Sequence, residues 1–259
     1  MRLLFLADVF GVAGRRAVEE RLQSLRDELD ADLCIVNGEN IADGAGITPK
    51  LADGLLRAGA DVVTLGNHTY RRDGIGAYLA DSERVIRPAN AGAWTPGRGL
   101  TVVEARNGVR VAVLNLLGSL YLDTPVSPWE MVDALVDEAR AQTPVIVLDF
   151  HGEATSEKMA MASWLDGRVT AVLGTHTHVQ TNDARVLRGG TAAVTDAGMT
   201  GPHDSVIGVR AELAIRRMRT HLPVRFEPAE GDVRIEGVVV DCSAETGHAT
   251  GIELLRVSL

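Results

Sequence analysis

Seven short apolar runs punctuate the chain, at residues 3–7, 33–36, 62–65, 109–114, 145–148, 169–173 and 192–194. Runs of this length, rich in Val, Ile and Leu and bounded by polar residues, read as buried strands. Helical patterns lie between several of them. Residues 17–29 carry Val18, Leu22, Leu25 and Leu29 at three- and four-residue spacing with charges elsewhere, the pattern of an amphipathic helix. Thr48-Pro49 and Ser127-Pro128 each place a hydroxyl cap before a proline, which predicts helix starts, the second helix running over 128–141. Alternating buried strands and helices give an α/β class, and hairpin-like stretches at 101–114, 185–194 and 234–257 add antiparallel pairs. Two packed mixed β-sheets flanked by helices fit this order of elements. The Gly/Pro-rich residues 91–99 read as a surface loop. No repeat or long linker divides the 259 residues, so one domain over 1–259 is expected.

The residues just after each run are more informative than the runs themselves. The first run ends in Asp8, the second leads to Asn37-Gly38-Glu39-Asn40, the third to Gly66-Asn67-His68, the fifth to Asp149-Phe150-His151 and the sixth to Gly174-Thr175-His176-Thr177-His178. In open α/β sheets the carboxyl ends of the strands share one edge, and ligands bind in the crevice there. Taken singly, an Asp or Asn after a strand is usually a turn or cap residue. Five strand ends that all carry nitrogen and oxygen donors make a two-metal site the better account. His176 and His178, two apart on a segment expected to be extended, would point to one side. The donors are imidazole, carboxylate and amide, with no thiolate, which suits Fe, Mn or Zn.

Composition narrows the partners. A net charge of −9 and a pI near 5.3 disfavour a stable complex with long nucleic acid, since duplex binders show a basic face. Aromatic residues at 4% leave little for base-stacking platforms, so any nucleotide ligand is expected to be small. Cys34 and Cys242 are too few for a disulfide framework, and Cys34 sits in an apolar run as a buried thiol would. The opening apolar run is too short for a secretory segment or a membrane span, so a cytoplasmic address and no membrane partner are expected.

Gly38-Glu39-Asn40, Gly66-Asn67-His68, His151-Gly152 and Gly174-Thr175-His176-Thr177-His178 resemble, in order, the motifs of calcineurin-like metallophosphoesterases. The whole chain resembles the bacterial branch of YmdB-like phosphodiesterases, including Asp8-Val9-Phe10-Gly11 and Thr195-Asp196-Ala197-Gly198-Met199-Thr200-Gly201-Pro202. It departs from the wider superfamily in two places: Phe10 stands where the opening motif has a histidine, and Glu39 replaces the usual bridging Asp. The resemblance implies a four-layer αββα sandwich and two metal ions, iron or manganese before zinc. It assigns Asp8, Glu39, Asn40 and His178 to the first ion and Glu39, Asn67, His151 and His176 to the second. It also makes His68 a catalytic residue that binds no metal, and general acid is its natural role.

The implied activity is a phosphodiesterase that hydrolyses small phosphodiesters, 2′,3′-cyclic nucleotides above all, by metal-activated water. Two divalent ions less Asp8, Glu39 and a hydroxide leave about +1, which matches a monoanionic diester better than a dianionic monoester. Arg15, Arg16, Arg71 and Arg72 lie close in sequence and keep a nucleotidase or phosphomonoesterase as an alternative. The other alternative is a regulatory scaffold that binds a nucleotide or RNA without turnover. A Ser/His/Asp hydrolase is disfavoured, since no G-x-S-x-G elbow is present. Loops 11–14 and 198–205 are expected to border the pocket, with His203 as a substrate contact. A symmetric homo-oligomer is expected on general grounds.

Overall fold

The computed structural model describes all residues, Met1–Leu259. In chain order the first half holds β1 (Arg2–Leu6), α1 (Gly11–Glu28), β2 (Leu33–Asn37), α2 (Pro49–Ala58), β3 (Val62–Thr64), α3 (Ile75–Asp81), β4 (Val85–Ile86), β5 (Leu100–Glu104) and β6 (Arg110–Leu117). The second half holds α4 (Pro128–Arg140), β7 (Ile146–His151), α5 (Thr155–Trp164), β8 (Ala171–Thr175), β9 (Arg185–Val186), β10 (Ala192–Val194), β11 (Gly201–Pro202), α6 (Ala211–Thr220), β12 (Val233–Cys242) and β13 (Ala249–Ser258).

Two mixed sheets result. One runs β11-β12-β1-β2-β3-β4, with β13 also paired to β12; the other runs β5-β6-β7-β8-β10-β9. β1 to β4 are mutually parallel while β12 lies antiparallel to β1, and β6, β7, β8 and β10 are parallel between antiparallel β5 and β9. All three expected hairpin regions are present as antiparallel pairs.

Side-chain alternation along the strands builds the layers. In β1, Leu4 and Leu6 face α1 and α2, packing with Val18, Leu22 and Leu55. Leu3 and Phe5 face the opposite way, into a cluster between the sheets with Ile35, Val147 and Leu173. In β7, Phe150 joins Leu114, Val132 and Val136 under α4, whereas Val147 points between the sheets. Three apolar layers therefore separate four layers of structure, the αββα order expected. Each fully buried Leu or Phe contributes about 1.5–3 kcal/mol by leaving water.

Local expectations fare unevenly at the helix starts. Thr48 caps α2, its hydroxyl accepting from the Leu51 amide at 3.4 Å, but Ser127 makes no side-chain cap to α4. Residues 11–14 form the first turn of α1 rather than a loop. No helix is long and apolar enough to cross a membrane.

Candidate metal centre

The parallel strands of both sheets end at one common edge, and their C-terminal residues meet there. Asp8 follows β1, Glu39 and Asn40 follow β2, Asn67 and His68 follow β3, His151 ends β7, and His176 and His178 follow β8. All eight come together. The His151 Nε2 lies 3.1 Å from Glu39 Oε1 and 3.0 Å from both Asn67 Oδ1 and His176 Nδ1. Glu39, His151 and His176 offer ligand atoms all within 4.8 Å of one another. On the other side of Glu39, Asn40 Nδ2 lies 3.0 Å from both Glu39 Oε1 and His178 Nε2, and His178 Nε2 is 3.8 Å from Asp8 Oδ1. Glu39 thus sits between two donor groups, as a bridging ligand must.

His176 and His178 converge for a different reason from the extended spacing expected. β8 stops at Thr175, and both histidines have positive φ, 104° and 63°, so the chain turns and aims each imidazole at its own half of the cluster. Asp8 is strained too, at φ 21°, and its Oδ2 accepts the His176 amide at 3.0 Å. Non-glycine residues held at positive φ cost on the order of 1–3 kcal/mol each and persist where the surroundings over-determine them.

The electrostatics of the cluster are frustrated. Burial pushes Asp8 up to about 6. Burial also opposes the charge on Glu39, yet the imidazoles of His151 and His68 hold that carboxyl well below its ordinary value. His151 is disfavoured by burial but raised to about 9 by Glu39, Asp8 and Asp149. Burial, and then the charge of His151, lowers His176 to about 3.

Cations fit this site. Asp8 Oδ1 is fully buried with no hydrogen-bond partner, and no Lys or Arg shares the cavity beside the cluster. Gly66 is required for space: a Cβ there would lie 2.1 Å from Glu39 Oε2 and 2.5 Å from His151 Nε2. A dense set of oxygen and imidazole donors with no Lys or Arg among them suits a bound metal ion.

Several residues that organise the centre, some of them within the strand-end segments, are given no role by the motif reading. Asp149, buried on β7, accepts from Asn37 Nδ2 at 2.8 Å and Thr64 Oγ1 at 2.5 Å on one oxygen, and from Thr175 Oγ1 at 2.7 Å on the other. The Thr175 hydroxyl in turn accepts from His151 Nδ1 at 2.9 Å, and Asn37 Oδ1 accepts the Glu39 amide at 3.2 Å. A closed network thus joins Glu39 on one sheet to His151 on the other. It fixes the His151 proton on Nδ1 and turns Nε2 toward the cluster, the usual device for orienting a metal-binding imidazole. The sequence held a signal: Asp149 alternates with His151 on a strand whose other inward residues are apolar.

A second support is the buried pair of Lys158 and Asp196, 2.8 Å apart. Asp196 Oδ2 also accepts from the Thr177 amide at 3.0 Å and its hydroxyl at 2.7 Å, gripping the turn between the two histidines. His203 is not brought to the site. Its Nε2 bonds to the Met199 carbonyl at 3.1 Å and lies 3.9 Å from Glu236, so it braces the 199–203 turn against β12. None of Arg15, Arg16, Arg71 and Arg72 lines the cavity beside the cluster, and Arg72 is spent on the Ala42 and Ala45 carbonyls.

Two mixed sheets with a shared edge of donors define a metallophosphoesterase-type fold. The chain matches the family described as YmdB-like protein over residues 4–255, and it belongs to that family. It is 46% identical to the 2′,3′-cyclic-nucleotide 2′-phosphodiesterase of Bacillus subtilis over 258 residues, covering 100% of this chain and 97% of that protein. Among solved structures, a hypothetical protein from Thermus thermophilus superposes with a TM-score of 0.93 at 39% identity, covering 100% of this chain and 99% of that one. A novel phosphatase from Mycoplasma pneumoniae superposes with a TM-score of 0.91 at 33% identity, covering 100% and 93%.

Proposed function

We propose that the protein is a dimetal phosphodiesterase acting on small phosphodiesters, 2′,3′-cyclic nucleotides in particular. The observation that carries this is a cavity of about 650 Å³ whose lining includes Glu39, Asn40, His68, His176 and His178 but no Lys or Arg. A dianionic monoester normally recruits such a cation, so its absence from the lining favours a monoanionic diester. The substrate named for the Bacillus subtilis relative agrees.

Asp8, Glu39, Asn40 and His178 would hold one ion and Glu39, Asn67, His151 and His176 the other, iron or manganese by family resemblance. When bound, the two ions supply Lewis acidity, activating water and stabilising charge on the attacking and leaving oxygens. The remaining work falls to the chain. Asp149 and Thr175 keep His151 in one tautomer, and Asp196 with Lys158 holds the turn that carries His176 and His178.

His68 is the proton donor in this reading. Its amide donates to Glu39 Oε2 at 3.1 Å, which leaves the ring facing the cavity, and Nδ1 lies 2.8 Å from Asn40 Oδ1. The Asn40 amide is so oriented that Nδ2 faces Glu39 and His178. Turning it by half a rotation exchanges two atoms of nearly equal size. Oδ1 would then join the donors that would hold the first ion, and Nδ2 would donate to His68 Nδ1, which would keep the His68 proton on Nε2 for the leaving alkoxide. Asn40 thereby couples metal binding to the tautomer of the acid. Protonation of the leaving group contributes roughly 10²–10⁴-fold.

The test is a comparison of 2′,3′-cyclic AMP with 2′-AMP and 3′-AMP, using protein purified without chelator. Turnover of the diester, abolished by chelation and by Asp8→Ala, is expected. Faster release of phosphate from either monoester, or no turnover of the diester, overturns the proposal.

A further inference from the structure

We infer that Ile207 and Phe226 form a nucleobase shelf in the cavity of the metal centre, an inference that rests on the phosphodiesterase reading. The cavity lining is of two kinds. Beside the polar Glu39, His68, His176 and His178 and the carboxylates of Asp43, Glu153 and Glu227 it holds the apolar side chains of Phe10, Ile207, Val209, Phe226 and Pro228. A chain with only four Phe places two of them here. Phe226 and Ile207 are 47% and 51% exposed, large apolar side chains left open to solvent next to a polar centre. A cyclic nucleotide has the matching asymmetry, one anionic phosphate and one flat apolar base.

The shelf is built rather than incidental. Ile207 is β-branched yet sits at φ 48°, a left-handed conformation that such residues rarely adopt. It is held there by its own carbonyl, which accepts from His178 Nδ1 at 2.9 Å, and by the paired Val206 and Val209. One hydrogen bond therefore orients a metal-site imidazole and presents Ile207 to the cavity. Behind the shelf, Phe10 packs edge-on to His178 with ring centres 5.5 Å apart, and a Cβ on Gly208 would come within 2.6 Å of its ring. Phe10 is consequently a fixed backing, while Ile207 and Phe226 are the surface a ligand meets. It also gives Phe10 a role where the wider superfamily has a metal-binding histidine.

Hydrocarbon side chains grip the face of a base and read nothing on its edge. All four bases should therefore be accepted, with purines favoured through their larger face. Base–aromatic contacts of this kind change affinity by on the order of 5- to 100-fold when truncated.

The experiment compares 2′,3′-cyclic AMP with a base-free analogue, methyl riboside 2′,3′-cyclic phosphate, in the manganese-loaded wild type and in Ile207→Asn, Phe226→Ala and the double variant. Asn tolerates the left-handed backbone, so Ile207→Asn removes the apolar surface while keeping the turn. The ratio of kcat/KM for the nucleotide to kcat/KM for the analogue is expected to fall about 10-fold in the double variant, carried by KM. The dissociation constant of 3′-AMP, measured by calorimetry, should rise by a similar factor. An unchanged ratio and an unchanged dissociation constant overturn the shelf while leaving the phosphodiesterase reading intact. Failure of the wild type to turn over either diester overturns that reading, and the shelf with it.

Discussion

Replacing Thr175 by Val tests whether the buried network, rather than the ligands alone, builds the centre. The hydroxyl accepts from His151 Nδ1 at 2.9 Å and donates to Asp149 Oδ1 at 2.7 Å, and all three residues are fully buried. Val has almost the same shape but makes neither bond. It leaves a buried imidazole N–H and a buried carboxylate oxygen unpaired, at roughly 1–3 kcal/mol each, so a loss on the order of 2–6 kcal/mol is expected. A domain of this kind has about 5–15 kcal/mol to lose, so the variant should fold but melt early. His151 also loses the partner that fixes its proton on Nδ1, and removal of such a partner typically weakens metal affinity about 10–100-fold. Urea unfolding would report the first effect and competition with a fluorescent chelator the second. Thr175→Ser retains the hydroxyl and should recover most of both. A folded Thr175→Val protein that binds Mn²⁺ as tightly as wild type would refute the claim that the network orients His151.

The same geometry sets three further outcomes. His68→Ala should retain both metals and lose far more activity on esters with poor alkoxide leaving groups than on nitrophenyl esters; equal losses on both would argue against an acid role. Asn40→Ala should lower occupancy at one site, seen by elemental analysis as a stoichiometry below that of wild type, and an unchanged stoichiometry would remove Asn40 from the ligand set. Stability of chelator-stripped protein should fall as pH rises from about 6.5 to about 9, because His151, raised to about 9 chiefly by Glu39 against the pull of burial, binds a proton more tightly folded than unfolded in that window. His151→Asn should flatten that limb in urea midpoints, and so should Mn²⁺, which needs the neutral imidazole; a wild-type midpoint constant over the window would contradict the assignment.

Much of this arrangement is legible in the sequence because strand ends report directly on position. Once the runs at 3–7, 33–36, 62–65, 145–148 and 169–173 are read as parallel strands, the residues after them must share an edge. Asp8, Glu39, Asn67, His151 and His176 are placed by that alone. What the sequence hides depends on contacts between the two sheets. Asp149 reaches across to Asn37 and Thr64, residues 112 and 85 positions away; its alternation with His151 turns it inward, but nothing local names those partners. The turn at His176 and His178 is hidden for another reason: positive φ at non-glycine residues is imposed by the surroundings, here by Asp8 and by the Asp196–Lys158 pair. His203 misleads through the opposite fault, since a histidine near motif residues can satisfy itself on a carbonyl such as that of Met199.

A two-ion centre on Asp8, Glu39, Asn40, Asn67, His151, His176 and His178, as proposed, can be checked by titrating chelator-stripped protein with Mn²⁺ while following hydrolysis of 2′,3′-cyclic AMP. Activity should rise from nothing and level off at about two ions per chain. Turnover by the stripped protein, or full activity at one ion per chain, would contradict it.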